Sequence, residues 1–256
     1  MRLPQGFSIL ACDYDGTLAT DGKVPKPVFV SLSALRETGC KLALITGRHL
    51  GDLKEVCPDF SAFDVIVAEN GAVVFLPGQD SLQVLASPPP AEFVEALRRR
   101  KVSPLEVGDV IVASKREHLR TLREVIHELG IEWHLVLNKD AVMALPRGVD
   151  KASGLRQILR DLGIAGAEVV GVGDAENDEP FLRICGLAVA VSNALPRVKR
   201  RCDYVTLQPS SEGVVELVER LLQSVEMAPS SSRKSAIRSG GAQRRQLTLR
   251  RGPRRS

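Results

Sequence analysis

The sequence predicts an α/β protein whose core is a Rossmann-like, doubly wound parallel sheet with a small α+β domain inserted into it. Three observations lead to this prediction. Short runs of Val, Ile, Leu and Ala recur without polar alternation, as in parallel strands covered on both faces. Segments with apolar residues at helical spacing separate these runs, which indicates right-handed βαβ units. A Pro-rich stretch in the middle of the chain then opens a different pattern of helices and strands.

Each core element has its own signal in the sequence. Val28–Thr38 and Ala152–Leu162 have apolar residues at helical spacing, and each is followed by a glycine, which commonly ends a helix. The runs that predict buried core strands are Phe7–Cys12, Lys41–Ile45, Val65–Ala68, Val169–Val172 and Leu187–Val191.

The inserted domain is expected over residues 81–148, between core segments 1–80 and 149–225. The elements predicted within it are a helix at Ala91–Lys101, a strand at Gly108–Ser114, a helix at Arg116–Leu129, and strands at Glu132–Leu137 and Ala141–Leu145. Residues 226–256 are expected to form a basic, disordered tail, because few of them are apolar.

Composition and charge exclude several classes of protein. The chain has 256 residues, of which 44% are hydrophobic and 26% charged, which excludes a wholly disordered chain or a collagen-like one. Its net charge of +4 is unevenly placed, since residues 229–256 carry nine Lys or Arg and no acidic residue. The rest has 26 basic and 31 acidic residues, so the body is acidic. This division argues against a nucleic-acid partner, although polyanion binding by the tail remains an alternative.

The lengths of the apolar runs and the spacing of the cysteines indicate which compartment to expect. No apolar run approaches the roughly 18–20 residues of a membrane span, so no membrane partner is expected. The five cysteines are scattered and form no C-x-x-C pair, which favours free thiols in a reducing compartment. We therefore expect a cytoplasmic protein, and the oligomeric state stays open.

The strongest local signal is the string DYDGT, which directly follows the first predicted strand. Asp13 and Asp15 are two apart, and side chains two apart on an extended backbone point the same way. Two carboxylates this close repel unless a cation lies between them or one is protonated. The alternative interpretation is a surface turn, which Asp and Gly also favour.

Further polar motifs accompany the other core elements. Each is weak alone, because TGR strings, Asn-Gly turns and acidic helix starts are common. They are Thr46-Gly47 after the second strand, Asn70 after the third, Lys151 before a helix, and Asp174, Asn177 and Asp178 after the strand at Val169–Val172.

The joint placement of these motifs gives them weight. Asp13, Thr46, Asn70 and Asp174 each follow the carboxyl end of a predicted parallel strand, and such ends line one ligand-binding crevice. Carboxylates without His or Cys favour a hard, oxygen-bound cation, most simply Mg²⁺. A cation, a lysine and free N–H groups together favour a phosphate.

In this order, DYDGT, TGR, Lys151 and GDAEND resemble the four motifs of the haloacid dehalogenase superfamily of phosphatases. Together with AENGAV, LPRGVDKASGL and AVSNALPRVK, they resemble its Cof-type branch, which has an αβ cap and includes sucrose-phosphate phosphatase and archaeal phosphoglycolate phosphatase. The resemblance covers about residues 7–222. It implies a Mg²⁺-dependent phosphatase acting on a small phosphorylated metabolite, with the insert as its cap.

The resemblance also implies residue roles. Asp13 would be the nucleophile that forms an aspartyl-phosphate, and Asp15 the general acid and base. The implied metal ligands are Asp13, the backbone carbonyl of Asp15, Asp174 and Asp178. The implied phosphate-binding residues are Thr46, Gly47, Lys151 and Asn177.

The cap residues that could contact the leaving group carry no motif. The polar candidates are Lys115, Arg116, His118, His134 and Asn138. A phosphomutase of the phosphomannomutase type is the alternative to a phosphatase, and the release of free phosphate would distinguish the two. A phospho-receiver is the third possibility, but receivers are about half this length and lack a cap.

Overall fold

The computed structural model describes residues 6–57 and 59–227. The strands in these ranges are β1 (Ile9–Asp13), β2 (Lys41–Ile45), β3 (Val65–Ala68), β4 (Val73–Leu76), β5 (Ser81–Val84), β6 (Glu106–Val107), β7 (Val112–Lys115), β8 (Trp133–Asn138), β9 (Ala141–Pro146), β10 (Val169–Gly173), β11 (Leu187–Ala190) and β12 (Tyr204–Val205). The α-helices are α1 (Lys26–Glu37), α2 (Leu50–Val56), α3 (Ala91–Arg99), α4 (Leu119–Glu128), α5 (Lys151–Leu162), α6 (Glu179–Leu182), α7 (Pro196–Lys199) and α8 (Ser210–Met227).

The first sheet is the core that the apolar runs predict. Its eight strands lie in the order β12-β11-β10-β1-β2-β3-β4-β5, and the pairs from β12 to β3 are parallel. Strands β1, β2, β3 and β10 are buried almost throughout, as expected when helices cover both faces. The predicted α/β fold class with a parallel core sheet is therefore confirmed.

The second sheet is small and entirely antiparallel, with the order β6-β7-β9-β8. It lies in the middle of the sequence, and helices α3 and α4 pack on it around a separate apolar cluster that includes Phe93, Leu97 and Leu122. This sheet matches the small α+β insert that the sequence predicts.

Strand β5 belongs to the first sheet, although the sequence predicts that the insert starts at residue 81, the first residue of this strand. It pairs antiparallel with β4, and thereby extends the first sheet. Three proline residues, 88–90, follow it and lead into α3, and proline is poorly suited to continuing a sheet. We therefore propose that the insert begins after Val84.

Strand β9 belongs to two apolar clusters at once. Val142 and Ala144 lie in the cluster under α3 and α4, whereas Met143 and Leu145 lie in the main core cluster. This division follows from the alternation of side chains along a strand. The insert is thus packed against the core through one face of its own sheet.

The sequence predicts that the disordered tail starts at residue 226. Helix α8 continues to Met227, so the first two residues of that range are helical. Residues 228–256 lie outside the described ranges, so the expected disorder there stays a prediction. Within residues 6–57 and 59–227, none of the helices has both the length and the apolar character needed to cross a membrane.

A close approach between α5 and the turn after β3 brings Lys151 to the end of the sheet. The carboxylate of Asp150 accepts the N–H of Ser153 at 2.7 Å and caps the start of α5. A Cβ on Gly154 would lie 2.5 Å from Val67 Cγ1 and 2.7 Å from the Cα of Gly71. Only a glycine in α5 allows this contact between helix and turn.

Replacing Gly154 by alanine should therefore destabilise the protein, although alanine is the better helix former. The overpacking cost of about 1–3 kcal/mol should exceed the intrinsic helical gain of about 1 kcal/mol. Thermal unfolding should show a Tm lowered by several degrees. Gly78→Ala is the matched control, because a Cβ there meets nothing within 4 Å, and it should leave the Tm unchanged. An unchanged Tm for Gly154→Ala would contradict the steric argument.

Candidate active site

Four charged side chains meet at the carboxyl ends of β1 and β10. Asp13 ends β1, Asp174 follows β10, Asp178 lies in the next turn, and Lys151 begins α5. All four are buried, and Lys151 is only 1% exposed. The Lys151 ammonium donates hydrogen bonds to Oδ1 of Asp13 and, at 2.6 Å, to Oδ1 of Asp178. The structure thus brings together the core residues that the sequence singles out.

Backbone N–H groups hold the Asp178 carboxylate, and two side chains hold that of Asp174. Oδ2 of Asp178 accepts the N–H groups of Asp174 at 2.8 Å and Ala175 at 2.9 Å, which closes the turn after β10. Oδ1 of Asp174 accepts the hydroxyl of Thr17 at 3.3 Å. The Lys139 ammonium forms an ion pair with Oδ2 of Asp174 at 2.5 Å.

Burial controls the electrostatics of the cluster. Desolvation raises the pKa of Asp13 well above its usual value, the neighbouring Asp178 raises it further, and Lys151 offsets only part of the rise. Desolvation also raises the pKa of Asp174. For Lys151, burial lowers the pKa, but the carboxylates of Asp13 and Asp178 outweigh it, so the pKa is raised above that of a free lysine. Three carboxylates therefore share this site with two lysine ammoniums, and burial disfavours the charged forms of Asp13 and Asp174.

Asp15 and Asp13 have different charged partners, since Asp13 pairs with Lys151 and Asp15 pairs with Arg48. Its two carboxylate oxygens accept two hydrogen bonds, both of 2.7 Å, from the Arg48 guanidinium. This fork-to-fork pair is partly exposed, with 38% of the Asp15 side chain accessible. The hydrogen bond to Asp15 is the main cause of a raised Arg48 pKa. Each oxygen of Asp15 keeps a further lone pair that can accept a proton.

Of the predicted phosphate-binding residues, Thr46 and Gly47 follow β2, Lys151 begins α5, and Asn177 lies in the turn after β10. Oγ1 of Thr46 accepts the N–H of Arg48 at 3.1 Å, which leaves its hydroxyl proton free to be donated. Asn177 donates from Nδ2 to Oδ1 of Asn70 at 3.0 Å, and its own Oδ1 is buried without a hydrogen bond. A Cβ on Gly47 would lie 3.3 Å from Nδ2 of Asn70. These residues therefore form one continuous polar rim.

The residues present fit a divalent cation. Asp13, Asp174 and Asp178 each offer an oxygen, and these oxygens lie within 4.8 Å of one another. Oδ2 of Asp174 is buried and has the Lys139 ammonium 2.5 Å away, so it already faces one cation, and hard carboxylate oxygens are what Mg²⁺ prefers. Asp178 has both oxygens engaged by hydrogen bonds, which fits a place beside the innermost ligands at least as well as among them.

A cavity of about 350 Å³ opens between this site and the second sheet. Lys151, Asn177 and Asn70 line it from the core, and His134 lines it from β8. Nδ1 of His134 is buried without a hydrogen bond. Of the five predicted cap residues, His134 is the one that lines this cavity.

The other predicted cap residues are engaged elsewhere or lie outside the cavity wall. Nε2 of His118 lies 3.1 Å from the Ser103 carbonyl oxygen, within the insert. Arg116 donates to the carbonyl of Lys139 at 2.9 Å. Lys115 ends β7 as an exposed residue, and Asn138 ends β8. Their proposed contact with substrate remains a prediction.

Sequence reasoning missed two charged residues of the site. Arg48 directly follows Thr46-Gly47, so its place after a strand end was available as a signal. Lys139 carries no such signal, because it reaches Asp174 only through the pairing of β8 with β9, which brings the connection between these strands to the core.

Glu69 is a third residue whose role the sequence does not reveal. Asn-Gly after Glu69 predicts a turn, and the structure has one, with φ values of 50° at Glu69 and 51° at Asn70. The fully buried carboxylate of Glu69 accepts the N–H groups of Asp109, Val110 and Ile111 at 2.8–2.9 Å. This contact explains why the strand predicted at Gly108–Ser114 begins only at Val112.

The cluster of His49, Glu69 and Asp109 does not suit a metal ion. Both oxygens of Glu69 are occupied by backbone N–H groups, and Nδ1 of His49 accepts the N–H of Gly51 at 3.0 Å. A neutral imidazole that accepts at Nδ1 carries its proton on Nε2, which lies 3.6 Å from Glu69. The cluster therefore joins the insert to the core by hydrogen bonding.

Comparisons with known proteins give a consistent result. Residues 10–103 and 104–218 match a family model for haloacid dehalogenase-like hydrolases. The chain is 30% identical over 228 residues to a phosphoglycolate phosphatase of Methanothermobacter thermautotrophicus, and the match covers 83% of this chain and 98% of that protein.

Solved structures share the fold. A Thermoplasma acidophilum protein superposes with a TM-score of 0.73 at 16% identity, covering 86% of this chain and 99% of that one. A sugar phosphatase of haloacid dehalogenase subclass IIB superposes with a TM-score of 0.68 at 23% identity, covering 84% of this chain and 98% of its own.

Glu69→Gln should loosen the insert from the core. The amide NH₂ of glutamine would face backbone N–H groups that now donate to a carboxylate, so at least one of them loses its acceptor, at a cost of about 1–3 kcal/mol. Hydrogen exchange followed by mass spectrometry should show faster exchange at residues 109–111. Glu219→Gln, at an exposed position of α8, is the control and should leave this exchange unchanged. Equal protection in both variants would refute the role of Glu69.

Proposed function

Because the chain belongs to the haloacid dehalogenase-like hydrolase family and is a phosphatase, we propose that it hydrolyses a small phosphorylated metabolite through an aspartyl-phosphate, with Mg²⁺ bound. The observation that carries the proposal is the buried cluster in which Lys151 contacts both Asp13 and Asp178 at the carboxyl ends of the parallel strands.

Asp13 is the proposed nucleophile. It ends β1, and its Oδ1 is held by Lys151. Its carboxylate oxygen attacks the phosphorus atom, a P–O bond to Asp13 forms, and the P–O bond to the leaving alcohol breaks. The position of Asp13 beside a buried ammonium supports this role, since the same ammonium can hold phosphoryl oxygens and lessen repulsion between anions.

Asp15 is the proposed general acid and base. As an acid it donates a proton to the departing alkoxide, and as a base it takes one from the water that cleaves the aspartyl-phosphate, releasing inorganic phosphate. Its greater exposure supports this assignment, because Asp15 is partly accessible whereas Asp13 is buried. Arg48 orients the Asp15 carboxylate through its two hydrogen bonds.

Thr46, Gly47, Lys151 and Asn177 are proposed to hold the phosphoryl group. The free hydroxyl proton of Thr46 and the ammonium of Lys151 are suitable donors to phosphoryl oxygens. Mg²⁺ would be held by Asp13, Asp174 and the backbone carbonyl of Asp15, with Asp178 in or beside that set. When bound, the ion supplies positive charge against the phosphate and the attacking carboxylate.

The second sheet with α3 and α4 is proposed to act as the cap that excludes water. The cavity beneath it is the proposed place for the leaving group, with His134 as its polar contact. Phosphoglycolate and sugar phosphates are the substrate types we propose, since one relative is a phosphoglycolate phosphatase and one structural neighbour is a sugar phosphatase.

Asp13→Asn should lower the rate of phosphate release at least about a thousandfold, because the amide removes the nucleophile. Inorganic phosphate released from phosphoglycolate, from a panel of sugar phosphates and from p-nitrophenyl phosphate is the measurement. Asp52→Asn, at an exposed position in the first turn of α2, is the control and should keep full activity.

Chelation of divalent ions should also abolish turnover, and added Mg²⁺ should restore it. Substantial turnover by Asp13→Asn would rule out the nucleophile assignment, and full activity in excess chelator would rule out the metal. An isomerised sugar phosphate in place of free phosphate would point to a mutase.

A further inference from the structure

The connection between β8 and β9 lies over the acidic cluster, and its backbone is fastened there. Lys139 and Asp140 form this connection, with a φ of 50° at Lys139. The N–H of Lys139 donates to Oε2 of Glu176 at 3.1 Å, and its carbonyl accepts from Arg116 at 2.9 Å. The position of this tip therefore does not depend on the Lys139 side chain.

The Lys139 side chain ends on a buried carboxylate oxygen. Its ammonium lies 2.5 Å from Oδ2 of Asp174, which is itself fully buried. A Cβ on Gly16 would lie 2.6 Å from that oxygen and 2.7 Å from the ammonium, so the glycine leaves room for the pair. An oxygen of the candidate metal cluster is thus covered by a cation that belongs to the insert.

Lys139 differs from Lys151 in how firmly it is held. Lys151 is 1% exposed and donates to two carboxylates, whereas the Lys139 side chain is 42% exposed and pairs with one. A half-exposed lysine on a flexible stem can move into water at little cost to itself, whereas the buried Asp174 carboxylate that it leaves needs another cation in its place. Lys139 can therefore leave Asp174 while Lys151 remains in place.

A divalent cation and an ammonium cannot share the same carboxylate oxygen without strong repulsion. We propose that Lys139 is a tethered cation that occupies Asp174 until the divalent metal binds, so that metal binding displaces the Lys139 side chain. The proposal rests on the metal site of the proposed function. It assigns to the insert a role in metal binding as well as in covering the substrate.

Titration calorimetry with MgCl₂ on the full chain tests this exchange. Removing the competitor should make Lys139→Ala and Lys139→Gln bind Mg²⁺ about fivefold more tightly than the unaltered protein. Lys101→Ala is the matched control, because Lys101 is also an exposed lysine of the insert with a positive φ, of 56°. Its affinity should be unchanged, and equal or weaker Mg²⁺ binding by the Lys139 variants would overturn the proposal.

Chemical labelling of amines gives a direct readout that does not depend on activity. Acetylation of Lys139 by an N-hydroxysuccinimide ester, followed by mass spectrometry, should become several-fold faster when Mg²⁺ is added. Lys101 should react at the same rate with and without the ion. If the acetylation rate of Lys139 is the same with and without Mg²⁺, its side chain stays in place and the proposal is overturned.

The two proposals fail in different ways. If the unaltered protein binds no Mg²⁺, and Asp174→Asn changes nothing, the metal site of the proposed function is wrong and this inference falls with it. If Mg²⁺ binds and Asp174→Asn weakens it, but Lys139 has no influence on binding or labelling, only the exchange proposal is overturned.

Discussion

The buried ammonium of Lys151 is the interaction on which the rest of the site depends. It joins three segments that are distant in sequence, since it donates to Asp13 at the end of β1 and to Asp178 beyond β10. Without a cation at this point, carboxylates buried at adjacent strand ends would repel each other. The capped start of α5 and its glycine contact with the turn after β3 bring that cation to the strand ends. The packing of α5 against the turn after β3 therefore also determines where the Lys151 ammonium lies in the site.

Much of this arrangement could be predicted, because it follows from local patterns. Apolar runs give the parallel strands, and polar residues directly after them must meet at one edge of the sheet. That reasoning leads to Asp13, Thr46, Asn70 and Asp174 without any knowledge of the three-dimensional structure, whereas Lys151 begins a helix and its role is implied only by the family resemblance. The limits of the insert are harder to predict, because a short strand such as β5 can pair with either sheet and its sequence does not say which.

What could not be predicted depends on long-range contacts. Glu69 accepts three N–H groups from the insert, and nothing in its own neighbourhood distinguishes it from a turn residue. Lys139 looks like an ordinary polar turn residue until the pairing of β8 with β9 is known. Arg48 stands between these cases, since its position beside Thr46 was visible but its pairing with Asp15 was not. Charged residues that join two sheets are therefore the ones that local sequence patterns miss.

The double membership of β9 has a consequence for how such proteins can diversify. Val142 and Ala144 face the insert's own helices, while Met143 and Leu145 complete the main core. The insert therefore cannot be exchanged as a self-contained module, since every second residue of this strand must suit the recipient core. Under the proposed function, new leaving-group specificity is more readily reached by changing side chains along β8, where His134 lines the cavity, than by transplanting a whole insert.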